Sequence, residues 1–321
     1  MTQVRDVIVI TSCTNRKKKA GTVLALEGTD TAASLFELAR AWSQQVQALC
    51  KSETQVAVEL YAGRSITEAK RVAESLSAPL YIVSAGHGLL CPDDHIPSYN
   101  VTTSPAADNV LHQCLLRLGK SPADWWQALI HAVGTQRSLT ELVARSPGTI
   151  MLLAVPSAYL GLLARELADL SEGDIARLRI ITSPHGASTL PARLQSTVMP
   201  YDERLEGLDA YSGTRSDFPQ RALRHYVAVL EGHSLPLEAA RRQVSKAMAA
   251  LRKPVLPERQ RKTDEEIMAL LRSNWERFNG SSTTLLRFLR DEALVACEQS
   301  RFRLLRQHLL TELNNKPGTY G

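Results

Sequence analysis

The feature that most constrains the fold is a series of short apolar runs that alternate with helical patterns. Each run is rich in Val, Ile and Leu, and longer segments with apolar residues at helical spacing border it. Such alternation favours a mostly parallel sheet flanked by helices. We therefore predict an α/β fold for the first part of the chain. The strand candidates are Asp6–Ser12, Gln55–Tyr61, Leu80–Ser84, Thr149–Val155 and Leu178–Thr182.

Helical periodicity fills most of the sequence between these runs. Residues 105–146 are expected to be helical throughout, and they include the pair Trp125 and Trp126. Two tryptophans on an amphipathic helix are usually core residues, although they could stack on a base. The other helical candidates are Ala32–Cys50, Ser65–Ser77, Ser157–Leu170 and Leu235–Leu251.

Composition indicates an ordinary globular protein. The chain has 321 residues, of which 44% are hydrophobic, enough for one large domain and a small one. We expect a cytoplasmic protein, because no apolar run is long enough to span a bilayer and no signal segment is visible. The five cysteines are scattered and show no CxxC pairing, so we expect neither disulfides nor a metal site, and we expect no cofactor.

Positive charge is concentrated toward the C-terminus. Residues 241–321 contain 16 Lys and Arg against 9 Asp and Glu, whereas the whole chain has a net charge of +5. We place a catalytic α/β domain at 1–252, a proline-punctuated basic linker at 253–262 and a helical module at 263–321. Three short helices in a basic module suggest a helix-turn-helix-like DNA-binding unit, with Gln299, Arg303 and Arg306 facing out from the last helix. The alternative is a helical subdomain with solvated arginines.

Two predicted strands end in residues that are typical of ligand sites. Ser84, Gly86, His87 and Gly88 follow one strand, at the edge of the sheet where ligands bind in open α/β folds. Asp93, Asp94, Tyr99 and Asn100 come soon afterwards and add carboxylates, a phenol and an amide. The alternative interpretation is a polar surface turn.

The N-terminal strand leads into small polar residues and then lysines. Ser12, Cys13 and Thr14 could bind a sugar or a phosphate, and the basic run that includes Lys17 could hold a phosphodiester. The lysines could instead form only a solvated loop. Cys13 is more often a packing residue than a nucleophile in this setting.

A second histidine-glycine pair and a basic helix start follow later in the chain. His185 and Gly186 come after the last predicted strand and echo His87 and Gly88. Further on, Ser216 or Asp217 could cap a helix that brings Arg221, Arg224 and His225 together, a face that suits a phosphate. The alternative is an exposed helix start.

Four motifs, in order, carry a resemblance to a known family. They are Ser-Cys-Thr with lysines from Ser12, Leu-Tyr-Ala-Gly from Leu60, Ile-Val-Ser-Ala-Gly-His-Gly-Leu-Leu from Ile82, and Asp-Asp-His-Ile-Pro-Ser-Tyr-Asn from Asp93. Over residues 6–103 the chain resembles a YaaA-related prokaryotic family. Its longer architecture is most similar to antiphage DNA glycosylases that remove hypermodified cytosines from phage DNA. Ser98 and Asn100 depart from the family pattern, in which a proline and often an acid stand.

The resemblance implies a DNA glycosylase that acts on double-stranded DNA with modified bases, as a defence against phage. Asp94 or Asp217 would orient water, His87 and Asn100 would read or stabilise the base, and Tyr99 would stack on it. The other expected substrate contacts are Ser12, Cys13, Thr14, Lys17, Tyr61, Gly63, Arg64, Ser84, Gly86, Gly88 and His185. The expected DNA contacts are Arg221, Arg224, Gln299, Arg303 and Arg306.

Two other functions stay open on the sequence alone. Other relatives suggest exchange or modification of a 7-deazapurine base, and a non-enzymatic DNA-binding regulator is the third reading. No lysine stands out as a Schiff-base nucleophile, so we expect a hydrolytic, monofunctional reaction. The sequence does not decide between the two candidate carboxylates.

Overall fold

The computed structural model describes residues 6–18, 23–49, 51–103, 109–254 and 258–314. The chain divides into two compact units, Met1–Pro254 and Val255–Gly321. The division lies inside the segment 253–262 that we predicted as a linker. Cys50, residues 105–108 and the end of the predicted last module at 315–321 lie outside the described residues.

A five-stranded sheet forms the centre of the first unit. The strand order is β5-β4-β1-β8-β9, and every neighbouring pair is parallel except β4 with β5. Four of the five predicted strands are in this sheet, and the predicted α/β fold is confirmed. Their apolar runs are almost wholly buried, as expected for strands covered by helices on both faces. The strands are β1 (Val7–Ser12), β4 (Leu80–Ser84), β5 (Gly88–Leu90), β8 (Ile150–Ala154) and β9 (Leu178–Ile181).

The predicted strand Gln55–Tyr61 is mostly wrong. Only Thr54–Val56 is extended, as β3, and it pairs with β6 (His95–Pro97) outside the main sheet. The chain then turns into a short helix, α2 (Ala57–Leu60), whose two fully buried residues are three positions apart. A short apolar run does not distinguish buried helix from buried strand, which explains the error. A further two-stranded parallel pair joins β2 (Leu24–Ala25) to β7 (Tyr99–Asn100).

Helices pack around the sheet, and several begin at a side-chain cap. Ser34, for example, accepts a hydrogen bond from the Glu37 amide at the start of α1, which satisfies one free donor of the first turn. Helix α1 packs against α5, and α3 packs against α11. Besides the short α2, the helices described in this unit are α1 (Leu35–Gln47), α3 (Arg64–Ser75), α4 (Val110–Arg117), α5 (Pro122–Val133), α6 (Leu139–Arg145), α7 (Ser157–Leu162), α8 (Ala164–Asp169), α9 (Glu172–Arg177), α10 (Pro184–Ser188), α11 (Phe218–Ala228) and α12 (Leu237–Ala249).

Trp125 and Trp126 are core residues, as we favoured. Both are fully buried on α5, and each indole N–H has a hydrogen-bond acceptor. Trp125 donates to the Ala85 carbonyl, and Trp126 donates to Glu166. Neither indole is therefore available to stack on a base.

The second unit is helical and has its own apolar core. Helix α13 (Asp264–Ser273) opens with a capping box between Thr263 and Glu266. Helix α14 (Ser282–Arg287) continues into a π-helical turn, and α15 (Gln299–Asn314) follows. Ile267, Leu271, Leu285, Leu289, Phe302 and Leu309 fill the core. The three predicted helices are confirmed, with inward faces as expected.

No helix within the described ranges is long and apolar enough to cross a membrane.

Candidate functional site

The loops after β1 and β4 lie side by side. These strands are parallel neighbours, with Ser12 opposite Val83, and the Cys13 amide donates to the Val83 carbonyl at 2.9 Å. The side chains that follow Ser12 and Ser84 therefore meet at the carboxyl edge of the sheet, where ligands bind in open α/β folds. The structure thus places the two loops beside each other, and their forming one substrate pocket stays a prediction.

The segment after β4 is a tight hairpin turn rather than an open glycine loop. Ser84 pairs with Gly88 in the antiparallel ladder, and the Ser84 hydroxyl accepts hydrogen bonds from the amides of Gly86 and His87 at 3.2 and 3.1 Å. The indole of Trp42 donates to the Gly86 carbonyl at 2.6 Å. Fixed on both sides, the turn holds His87 in one place.

Both glycines of this turn are required by packing against protein side chains. A Cβ atom on Gly86 would lie 2.8 Å from the Tyr99 ring, and one on Gly88 would lie 2.9 Å from Ile130 and 3.0 Å from Arg137. Gly88 also has a φ of 74°, which favours glycine. Packing therefore explains both glycines, and their contact with a substrate stays a prediction.

A buried chain of hydroxyl groups connects the end of β4 to β7 and to Tyr61. The Tyr99 hydroxyl lies 2.7 Å from the Ser84 hydroxyl and 2.7 Å from that of Tyr61. Burial raises the pKa of both phenols well above the usual value, so they stay protonated. Tyr99 is only 2% exposed, with Lys17 over its ring and His87 at its edge, and it cannot stack on a base in this arrangement.

His87 is the most unusual titratable group of this cluster. It is 4% exposed, and its ring packs edge-on against Tyr99 at 4.6 Å between centroids. Burial, with the positive charges of Arg137 and Lys17, lowers the pKa of His87 to about 3, so the imidazole is neutral. Its Nε2 atom is buried and has no hydrogen-bond partner among the described residues. A buried polar atom without a partner is uncommon, and a catalytic role is one physical explanation for it.

Lys17 closes the cluster on its outer side. Its ammonium group lies 4.1 Å from the Tyr99 ring centroid and 5.9 Å from that of Tyr61, with which it forms an antiparallel bridge. Burial lowers the pKa of Lys17, and the nearby Cys13 thiol opposes that shift. The sequence suggested Lys17 as a phosphodiester contact, but it did not show that Lys17 is partly buried over two aromatic rings, because such burial is a tertiary property.

The other small residues of the first loop make internal bonds. The Thr14 hydroxyl donates to the carbonyls of Arg16 and Ala62, and Cys13 Sγ lies 3.0 Å from the Tyr159 hydroxyl. Ser12 is 3% exposed. These contacts fix the loop, so roles for Cys13 and Thr14 in holding a sugar or phosphate stay predictions.

Asp94 is held by an arginine that the sequence did not single out. Arg137 donates to both Asp94 carboxylate oxygens at 3.1 and 3.2 Å, and the Cys91 amide donates to one of them at 2.7 Å. A carboxylate offers about four acceptor positions, so one stays free. Asn100 is exposed on β7 and lies outside the buried cluster.

Asp217 and three predicted arginine contacts form a structural network instead. Arg221 is 0% exposed and pairs with Asp217 and Glu206, both at 2.7 Å. Arg224 pairs with Glu68 at 3.2 Å, and Arg64 bonds to Glu68 and to the Ser212 carbonyl.

This network corrects several expectations. Arg221 is buried, so a phosphate cannot reach it. The Asp217 side chain is 10% exposed and that of Asp94 is 24% exposed, so water reaches Asp94 more readily, and a catalytic role for Asp217 stays a prediction. Arg64 and Arg224 make intramolecular contacts that hold the segment around Ser212 against α3. Neither is retained as a ligand contact.

His185 is not part of the cluster. It is exposed on the short helix α10, which follows β9, and β1 and β8 separate β9 from β4 in the sheet. At the usual strand spacing this places it roughly 14 Å along the sheet edge from the Ser84 loop. A cavity of about 420 Å³ lies near there, lined by Thr182, Tyr201, Asp202, Arg204, Arg241 and Ser245 among others.

Gly63 has a φ of 109° and is the residue directly before α3.

The second unit is less basic than the sequence suggested. Of the net charge of +7 counted from residue 241, five positive charges lie at 241–254, in the first unit. Gln299 and Arg303 are exposed as predicted, but Arg306 donates twice to the Gly280 carbonyl and packs near Trp275, so its outward role is corrected. Ion pairs occupy four more arginines: Arg259 with Asp291, Arg272 with Glu312, Arg277 with Glu292, and Arg301 with Asp264.

Comparison with known proteins gives one family match. A family described as a family of unknown function (DUF6884) matches residues 39–113, which include Tyr61, Ser84, His87 and Tyr99. Because the match covers less than half of the chain, it does not establish membership. Searches of curated proteins and of solved structures found no match.

Sequence reasoning missed the residues that support the cluster. These residues are Trp42, Arg137, Tyr159 and Gln220. They come from four different helical or loop segments, and none of them belongs to one of the sequence motifs. Gln220 is fully buried and donates from Nε2 to Thr11 and to the Ala154 carbonyl, both at 3.0 Å. Gln220 follows Phe218 and Pro219 directly, and nothing in that sequence indicates that its side chain is buried.

Proposed function

We propose that the protein is a DNA glycosylase that hydrolyses the N-glycosidic bond of glucosylated hydroxymethylcytosine in phage DNA, leaving an abasic site as an antiviral defence. The observation that carries the proposal is the neutral, buried His87, whose unpartnered Nε2 lies in the cluster between two converging loops. The motif resemblance supports the choice of substrate. Exchange of a 7-deazapurine base is the alternative for the same site.

The departing base needs a hydrogen-bond partner that stays neutral and does not take up a proton from water. A neutral imidazole can donate or accept through Nε2, and its pKa of about 3 keeps it neutral at physiological pH. The buried position strengthens such a bond, because water does not screen it. We assign His87 to recognition and stabilisation of the base.

The attacking water needs a carboxylate, and Asp94 is the more exposed of the two candidates. Its side chain is 24% exposed, and three donors leave one acceptor position for water. Arg137, which fixes Asp94, also lowers the pKa of His87, so one arginine acts on both groups. We assign Asp94 to water orientation and to stabilisation of the cationic sugar.

Base excision is tested on matched duplexes that carry glucosylated hydroxymethylcytosine, hydroxymethylcytosine or cytosine. We expect abasic sites, detected with an aldehyde-reactive probe, and free base, detected by mass spectrometry, only from a modified duplex. Asp94→Asn should reduce the rate by roughly 10²-fold or more. Asp93→Asn is the matched control, because Asp93 is its exposed neighbour. If no modified duplex gains abasic sites, the glycosylase proposal is rejected, and a new base at the same position would indicate exchange.

We propose that the second unit contributes DNA affinity through exposed groups of α15. Arg303 is exposed and has no ion-pair partner among the described residues, whereas Arg272 is already paired with Glu312. Arg303→Gln should therefore reduce the dependence of log affinity on log salt concentration by about one unit, and Arg272→Gln should change it little. Equal slopes for both variants and the wild type would remove Arg303 from the interface.

A further inference from the structure

Lys17 combines a fixed backbone with a side chain that has no acidic partner. The amide of Lys18 donates to the Leu60 carbonyl at 2.8 Å, and the Ala62 amide donates to the Arg16 carbonyl at 2.9 Å, so the chain is pinned on both sides of Lys17. No carboxylate among the described residues forms an ion pair with it. Its ammonium group instead lies over Tyr99, between the solvent and the buried cluster.

This environment favours a reactive amine. Removing an ammonium group from water without an opposite charge disfavours the charged form, which agrees with the lowered pKa of Lys17. Desolvation is a usual means by which proteins activate a lysine for attack on a carbonyl carbon. Lys18, the next residue, is exposed and has no such surroundings.

We propose that Lys17 attacks the abasic sugar that base excision leaves and cleaves the DNA strand beside it. This inference rests on the proposed glycosylase function, because that reaction supplies the abasic sugar. The substrate class is therefore a 2-deoxyribose aldehyde within DNA, and the added activity is that of an abasic-site lyase.

The reaction requires no cofactor and no external oxidant. The neutral Nζ of Lys17 forms a bond to C1′ of the ring-opened aldehyde, and the carbonyl oxygen leaves as water, with one proton from the amine and one from the solvent, to give an iminium ion. Water then removes a proton from C2′, the new electron pair forms the C2′–C3′ double bond, and the C3′–O bond breaks with release of the phosphate. Water finally hydrolyses the imine, which regenerates the amine and frees an unsaturated aldehyde on the 3′ end.

The position of Lys17 fits this order of steps. His87 and Lys17 both contact the Tyr99 ring, but His87 is buried and assigned to the base, while Lys17 is partly exposed beside Asn15 and Arg16. A base directed inward to His87 would leave its sugar near the outer rim, where the amine is. The strand backbone would then remain on the solvent side.

The test supplies an abasic duplex made beforehand, so that it does not depend on base excision. The full-length protein is incubated with this duplex and sodium borohydride, which reduces an iminium ion to a stable amine. We expect a covalent protein–DNA adduct with the wild type and with Lys18→Arg, and at least a 100-fold lower yield with Lys17→Arg. Without borohydride, the wild type should produce nicked strands that end in an unsaturated aldehyde.

Peptide mapping of the wild-type adduct keeps the test independent of how the variant folds. Mass spectrometry should place the deoxyribose on the peptide that contains Lys17. No adduct, or an adduct on another lysine, would overturn the lyase proposal, whatever the glycosylase assay gives. Conversely, an adduct at Lys17 together with no excision from modified duplexes would reject the glycosylase proposal and leave the lyase chemistry standing.

Discussion

The buried neutral His87 should make the stability of the protein depend on pH in a way that one substitution removes. Its pKa is about 3 in the folded protein, whereas an exposed histidine has a pKa near 6.5. Between these values the unfolded chain binds a proton that the folded chain does not. Because the unfolded state then gains stability, the free energy of unfolding falls as the pH falls from about 6.5 toward 3.

The size of the effect follows from the two pKa values. Each pH unit between them is worth about 1.4 kcal/mol, so lowering the pH from about 7.5 to about 4.5 should cost the wild type roughly 3 kcal/mol through His87 alone. His87→Gln removes this titration. The variant loses ring packing against Tyr99 at every pH, but that loss does not vary with pH.

The assay is urea unfolding of both proteins at the two pH values. The free energy of unfolding of the wild type minus that of His87→Gln should shrink by roughly 3 kcal/mol on going to the lower pH. Taking this difference cancels all other titrating groups. His185→Gln, at an exposed histidine, is the matched control and should show no comparable change. A difference for His87→Gln that is the same at both pH values would refute the buried neutral imidazole.

Two further substitutions test the packing of the site and of its support. Gly86→Ala places a methyl group 2.8 Å from the Tyr99 ring and should cost about 1–3 kcal/mol of unfolding free energy, while Gly161→Ala, with open space around it, should be neutral or slightly stabilising. Arg221→Gln removes the arginine partner of the buried Asp217 and the half-buried Glu206 and should cost about 3–5 kcal/mol by urea unfolding, against less than about 0.5 kcal/mol for the exposed Arg215→Gln. Equal effects within either pair would contradict the packing described.

The sequence by itself determined the fold class and the place of the candidate site. Apolar runs such as Leu80–Ser84 are long enough and apolar enough to specify buried strands, and their order with helices specifies a parallel sheet. Since the carboxyl ends of parallel neighbours meet at one edge, the convergence of the loops at Ser12 and Ser84 followed from the chain alone. The capping box between Thr263 and Glu266 can also be recognised in the sequence, because it depends on residues close together in the chain.

Only the tertiary structure decided which of the polar residues are free to act. Asp217 and Arg221 are only four residues apart, but burial depends on residues far apart in the chain, so the sequence could not show that Arg221 is buried and also pairs with Glu206. The same long-range packing fills the space beside Gly86 with Tyr99, desolvates Lys17 and leaves His87 Nε2 without a partner. A residue type and its spacing predict what a group can do, but its accessibility and pKa depend on neighbours that only folding brings together.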